Sequence, residues 1–136
     1  MVYAERMLET APRQPRFDRA DLAECIKACF DCAQACTACA DACLGEQDVT
    51  PFLRCIRLNL DCADICITTG KMLSRQTEFD PAMVLGVLES CAAACKLCGD
   101  ECAMHAERGL AHCGVCAEAC VRCEAACNKL LSQIAA

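Results

Sequence analysis

The sequence predicts an all-α fold: an antiparallel up-down-up-down four-helix bundle with a short N-terminal helical extension. Three observations predict it. Cysteine recurs at alternating steps of three and four residues through most of the chain, the seam of a heptad repeat. Two dipeptides, Thr50-Pro51 and Asp80-Pro81, each place a capping side chain before a proline at the first helical position. Val, Ile and Thr never alternate with polar residues over a useful length, so no strand pattern competes.

Residues 1–17 read as an extension. Met1–Thr10 can form a short helix, which Pro12 and Pro15 end. Asp18 or Asp21 can cap the first long helix, expected over about 18–44, with Gly45 as its stop. Residues 46–49 form a short loop, and Thr50-Pro51 starts a second helix running to about 74. Asp80-Pro81 starts a third, over about 81–106. Gly109 marks a short connection, and the fourth helix occupies about 110–134. The bundle domain is 18–136.

At 136 residues the chain fits one domain. Its hydrophobic fraction of 56% includes 18 cysteines, while aromatics are 4% and Trp is absent. Ala and Cys therefore dominate a narrow interior. The net charge of −6 argues against nucleic acid, which needs a basic surface, and leaves no polybasic patch for anionic lipid. No apolar run approaches the ~20 residues needed to cross a bilayer, and the N-terminus lacks an apolar export segment. The expected location is the cytosol, where thiols stay reduced, so these cysteines point to metal before disulfides.

In the first helix the cysteines are Cys25, Cys29, Cys32, Cys36, Cys39 and Cys43. The second carries Cys55, Cys62 and Cys66, the third Cys91, Cys95, Cys98 and Cys102, and the fourth Cys113, Cys116, Cys120, Cys123 and Cys127. All fall on the core-facing stripe of their helix. In the second helix Asn59 and Thr69 take seam positions between or beyond the thiols. Antiparallel folding collects Leu22, Leu73, Val84, Leu88, Leu130 and Ile134 at one apolar, sealed end. It collects Cys43, Glu46, Cys55, Asn59, Cys102, Met104, His105, His112 and Cys113 at the other, a polar mouth suited to admitting metal. Asn59 is a candidate lining residue, and Met104, His105 and His112 are candidate ligands there. Leu53, Leu60 and Ile67 recur every seven residues off the Cys face, a stripe for contact between subunits.

Side chains three or four apart on a helix lie about 5–6 Å apart at Cβ, so two sulfurs can converge on one ion. A disulfide needs Cβ atoms about 3.5–4.5 Å apart and would be strained there. Soft thiolates select Cu(I), Zn(II) or iron–sulfur clusters. Zn(II) sites use separate tetrads, and iron–sulfur sites use loop-borne cysteines. Cu(I) accepts two or three thiolates, and each thiolate can bridge, so a ladder of sulfurs suits Cu(I) best. Capacity then lies between about nine ions and about one per cysteine, a store rather than a single site. The apo core should hold neutral thiols that pack as small hydrophobes. A general thiolate sink for Zn(II) or Cd(II) is the alternative. An enzyme is not expected, because no thiol stands out at an exposed helix start.

The stretches "CIKACFDCAQACTACADAC" and "CGVCAEACVRCEAAC" resemble the bacterial copper storage proteins, cytosolic branch, over about 18–134. That resemblance implies a four-helix bundle with Cu(I) strung along its interior, assembled as a homotetramer. It also implies a polar open end with His, Met or other ligands, matching Met104, His105 and His112. The donor or acceptor of the copper is not identified by it. Asn59 and Thr69 depart from an all-thiol seam, so the interior beside them is expected to bind fewer ions.

Overall fold

Capping chemistry sets most of the helix boundaries. In the computed structural model, which describes residues 2–135, α1 spans Val2–Thr10, α2 Arg19–Leu44, α3 Leu53–Ser74, α4 Pro81–Glu107 and α5 Ala111–Ala135. No strand occurs among the described residues. Asp18 caps α2, its Oδ2 accepting from the Asp21 amide at 3.0 Å. Asp80 caps α4, its Oδ1 accepting from the amides of Ala82 and Met83 at 2.8 and 3.2 Å, with Pro81 next in line. Both satisfy amides that no helical carbonyl can reach.

The start of the second long helix differs from expectation. Thr50–Phe52 forms a 3₁₀ turn, and α3 proper begins at Leu53. The Phe52 amide bonds the Val49 carbonyl at 2.9 Å, the three-residue step that tightens the turn. Asp48, not Thr50, supplies the side-chain acceptor, taking the Thr50 amide at 3.0 Å. The tight turn leaves Phe52 buried. Between α4 and α5, Gly109 adopts a φ of 97°, a left-handed conformation that favours glycine.

α2 packs on α3, α3 on α4, α4 on α5, and α5 closes the ring on α2. Short connections between sequential neighbours make this an up-down-up-down bundle. Small residues let the rods approach: a methyl on Gly99 of α4 would stand 3.1 Å from the Cys120 Cβ of α5. On the outer face Arg122 of α5 donates to Glu24 at 2.8 and 2.9 Å and to Asp31 at 2.7 Å, both on α2.

One end of the bundle is plugged. Leu22, Leu73, Leu88 and Leu130 are fully buried, Val84 nearly so, and Ile134 packs against them. Phe17 is buried beside Phe79, ring centroids 6.0 Å apart, and the Arg16 guanidinium lies over Phe79. α1 lies against the outside of α2, burying Ala4 and Leu8 and pairing Glu5 with Lys27.

By length and composition α4 is the one described helix apolar enough to cross a membrane. This corrects the expectation that no run nears that length. Much of the helix's apolar character comes from Ala and Cys, and the α4 sulfurs face the bundle interior.

Candidate metal centre

The heptad spacing turns every thiol inward. All 18 cysteines are free, and none is more than 2% exposed. Starting from the plugged end, Cys25 lies 3.8 Å from Cys127 and Cys29 3.8 Å from Cys123, sulfur to sulfur. Cys91 follows at 4.0 Å from Cys123, and Cys66 reaches Cys91, Cys95 and Cys62 at 3.8, 3.7 and 3.8 Å. Cys32 lies 3.8 Å from both Cys36 and Cys120. Cys36 also lies 3.7 Å from Cys116 and Cys120 and 3.9 Å from Cys98. At the open end Cys55 meets Cys102 at 3.7 Å and Cys39 meets Cys113 at 3.8 Å. These separations far exceed a disulfide bond of about 2.05 Å.

They do fit metal. With metal–sulfur bonds of about 2.3 Å, sulfurs 3.8 Å apart subtend roughly 110° at an ion, and a straight S–metal–S unit needs about 4.6 Å. Small rotamer changes therefore span the geometries from four-coordinate to two-coordinate. Ligand atoms of Cys29, Cys91, Cys123 and Cys127 lie within 4.8 Å of one another, as do those of Cys32, Cys62, Cys66 and Cys95. The sets Cys32, Cys36, Cys62, Cys120 and Cys36, Cys98, Cys116, Cys120 do the same. Cys32, Cys36, Cys62 and Cys120 each belong to two sets, so the groups overlap and cannot all be filled by ions with private ligands.

Two polar side chains interrupt the α3 seam. Asn59 is fully buried, its Oδ1 accepting from Cys98, Cys116 and Cys102 at 2.9, 3.2 and 3.5 Å while its Nδ2 donates to Cys55 at 3.5 Å. Every polar atom of the amide thus has a thiol partner. Thr69, also fully buried, donates back to the Ile65 carbonyl of its own helix at 2.8 Å.

At the mouth the candidates separate. The Nδ1 of His112 lies 3.4 Å from the Cys39 sulfur and 3.6 Å from that of Cys113, and Cys39, Cys43, His112 and Cys113 form one compact set. The Nε2 of His112 has no hydrogen-bond partner, with the nearest carboxylate, Glu46, at 3.5 Å. His105 is 2% exposed, one turn beyond Cys102, and sits edge-on to Phe52 at 5.0 Å between centroids. Its Nε2 lies 2.8 Å from Glu101 Oε2. Met104 is not brought to the sulfurs: it is 41% exposed. Two residues past Cys102 it stands about 200° round the helix, on the solvent side.

Sequence reasoning missed Glu101. Glu101 reads as one more outer-face charge, yet its side chain is 11% exposed and bonds both His105 and, at 3.4 Å, Arg54. The i,i+4 spacing of Glu101 and His105 was the available signal.

Burial is the main electrostatic effect at the mouth. It pushes the Cys43 thiol up from 9.0 to about 12 and Cys113 up to about 11, because desolvation disfavours the anion. At the mouth these two thiols are therefore held neutral in the apo protein. A soft cation can replace their protons and neutralise the resulting sulfur charge.

A family model described as "Csp: Copper storage protein" matches residues 18–132. Among solved structures, the chain is similar to the copper storage protein Ccsp from Streptomyces lividans loaded with 10 copper equivalents. The two are 50% identical with a TM-score of 0.92, over 95% of this chain and 98% of that one. It is similar also to the cytosolic copper storage protein of the same organism with five coppers, 53% identical, TM-score 0.81, over 83% and 93% of the two chains. The cysteine-rich protein YhjQ of Bacillus subtilis (strain 168) is 37% identical over 106 residues, 78% of this chain and 92% of that protein.

Proposed function

Because the chain belongs to the copper storage protein family, we propose that it stores many Cu(I) ions on the thiolates lining its bundle, in a non-enzymatic role. The observation that carries this reading is the continuous column of 18 buried sulfurs with overlapping four-sulfur groups. Shared ligands are awkward for tetrahedral Zn(II), which wants four of its own, and natural for Cu(I) with bridging thiolates. Each thiol converted to a metal-bound thiolate releases one proton.

All 18 cysteines belong to the proposed ligand set. His112 joins them with Cys39, Cys43 and Cys113, and Asn59 offers Oδ1 to the level of Cys98 and Cys116. Met104 is left out on its exposure. The capacity expected lies between about nine ions and about one per cysteine. The deciding experiment is an anaerobic titration of the reduced protein against a chromophoric Cu(I) chelator. Saturation at one or two ions per chain overturns the reading.

The proposal extends to location and assembly. A cytoplasmic store matches the cytosolic Streptomyces relative and the need for reduced thiols. Leu53, Leu60 and Ile67 remain 59%, 46% and 38% exposed along α3, while α1 covers part of α2 instead. That stripe supports a homo-oligomer, a tetramer on the family resemblance. With a net charge of −6, neither nucleic acid nor anionic lipid is a proposed partner.

A further inference from the structure

The mouth holds one carboxylate whose placement the storage reading does not use. Glu101 sits on α4 one turn before His105, with its side chain 11% exposed. Its two oxygens are divided: Oε2 faces His105 Nε2 at 2.8 Å, and Oε1 faces Arg54 Nε of α3 at 3.4 Å. Phe52 packs against the ring of His105, and the side chain of His105 is 3% exposed. An imidazole held on one face by an aromatic ring and at one nitrogen by a nearly buried carboxylate has a defined orientation. His105 is buried one turn beyond Cys102 on α4, which places it at the open end of the sulfur column.

Resting on the storage reading, we propose that Glu101 is a positioning residue for Cu(I) at the mouth: it holds the proton of His105 on Nε2 and leaves Nδ1 as the nitrogen available to metal. A carboxylate accepts and does not donate, so the nitrogen facing it carries the hydrogen. The neutral ring then has one bare lone pair, at Nδ1. Such an outer carboxylate fixes both the tautomer and the aim of a metal-binding histidine and raises its basicity. Arg54 Nε, 3.4 Å from Oε1, holds the carboxylate in place with its other oxygen toward the ring. The two histidines of the mouth thereby differ: His105 Nε2 is held at 2.8 Å by Glu101, whereas the Nε2 of His112 has Glu46 at 3.5 Å and makes no hydrogen bond.

The test reads the apo and loaded states separately. Two-bond 1H–15N correlation spectra of the reduced, metal-free protein at neutral pH report which ring nitrogen of His105 is protonated. The expected pattern is a hydrogen on Nε2 alone. Glu101→Ala is expected to give mixed tautomers and to weaken the last-loaded Cu(I) ions by about tenfold or more against a chelator, with total capacity little changed. Glu101→Gln, which keeps an acceptor oxygen, is expected to restore the wild-type pattern. A wild-type spectrum with a hydrogen on Nδ1, alone or together with Nε2, overturns the proposal even if no variant folds. So does a Glu101→Ala protein with unchanged tautomer and unchanged affinity. Failure of the storage reading would show instead as low capacity in the wild type.

Discussion

Asn59 Oδ1 stands 2.9 Å from the Cys98 sulfur, closer than any two sulfurs of the interior approach one another. The amide fills a seam position that a thiol would otherwise occupy and ties together thiols of α3, α4 and α5. Replacing it with the residue the repeat asks for, Asn59→Cys, is expected to raise Cu(I) capacity by about one ion per chain. Chelator competition counts the ions, and an unchanged count contradicts the expectation.

Cys36 and Cys25 make a matched pair for testing shared ligation. Cys36 belongs to two four-sulfur groups, whereas the Cys25 sulfur has one close neighbour, Cys127, at 3.8 Å. Cys36→Ser is expected to remove about two ions and Cys25→Ser about one at most. Equal losses from the two would argue for private sites and against bridging.

The plug at the closed end bears on stability rather than binding. Leu88 is fully buried among Leu22, Leu73 and Leu130. Leu88→Ala is expected to destabilise the apo protein by about 2–5 kcal/mol through lost burial and a residual cavity. Denaturant unfolding measures the first effect, and Cu(I) titration should find capacity unaltered.

Alkaline pH should weaken the metal-free bundle. Cys43 and Cys113 have folded pKa values raised to about 12 and about 11, above the ordinary 9.0. A thiol raised by folding keeps its full contribution below the unfolded value and loses it as pH climbs through the folded one. Apo stability should therefore hold up to about pH 9 and decline between there and about pH 12. A flat Tm across that window would show that these thiols ionise without cost.

Assembly is open to a surface test. Leu60 lies mid-stripe and 46% exposed, so Leu60→Glu leaves the thiol column untouched. Light scattering on a sizing column is expected to show a smaller species for the variant. An unchanged mass would place the contact elsewhere.

The heptad spacing made the burial of every cysteine, the Leu plug and the side of each helix facing the axis legible from the chain alone. Positions near helix ends were harder. Thr50-Pro51 carries the marks of a helix start, yet Asp48 takes the capping role and a 3₁₀ turn intervenes, because local side-chain competition decides such boundaries. Met104 was grouped with its neighbours by proximity along the chain, while a 200° rotation from Cys102 carries it to solvent. His112 is one step off the seam but stands in the first turn of α5, where it still reaches two sulfurs. Glu101 escaped notice because a carboxylate is ordinarily a surface residue, and its burial against Arg54 of α3 comes from tertiary packing.

The leucine stopper gives the cargo a history. On the proposed ligand set, a tube shut at one end would exchange through the other, and ions lodged first near Cys25 and Cys127 would wait for those near His112 to depart. Withdrawal by a competing ligand would then run in the reverse of the filling order, a quick fraction from the rim followed by a slow one from the depths.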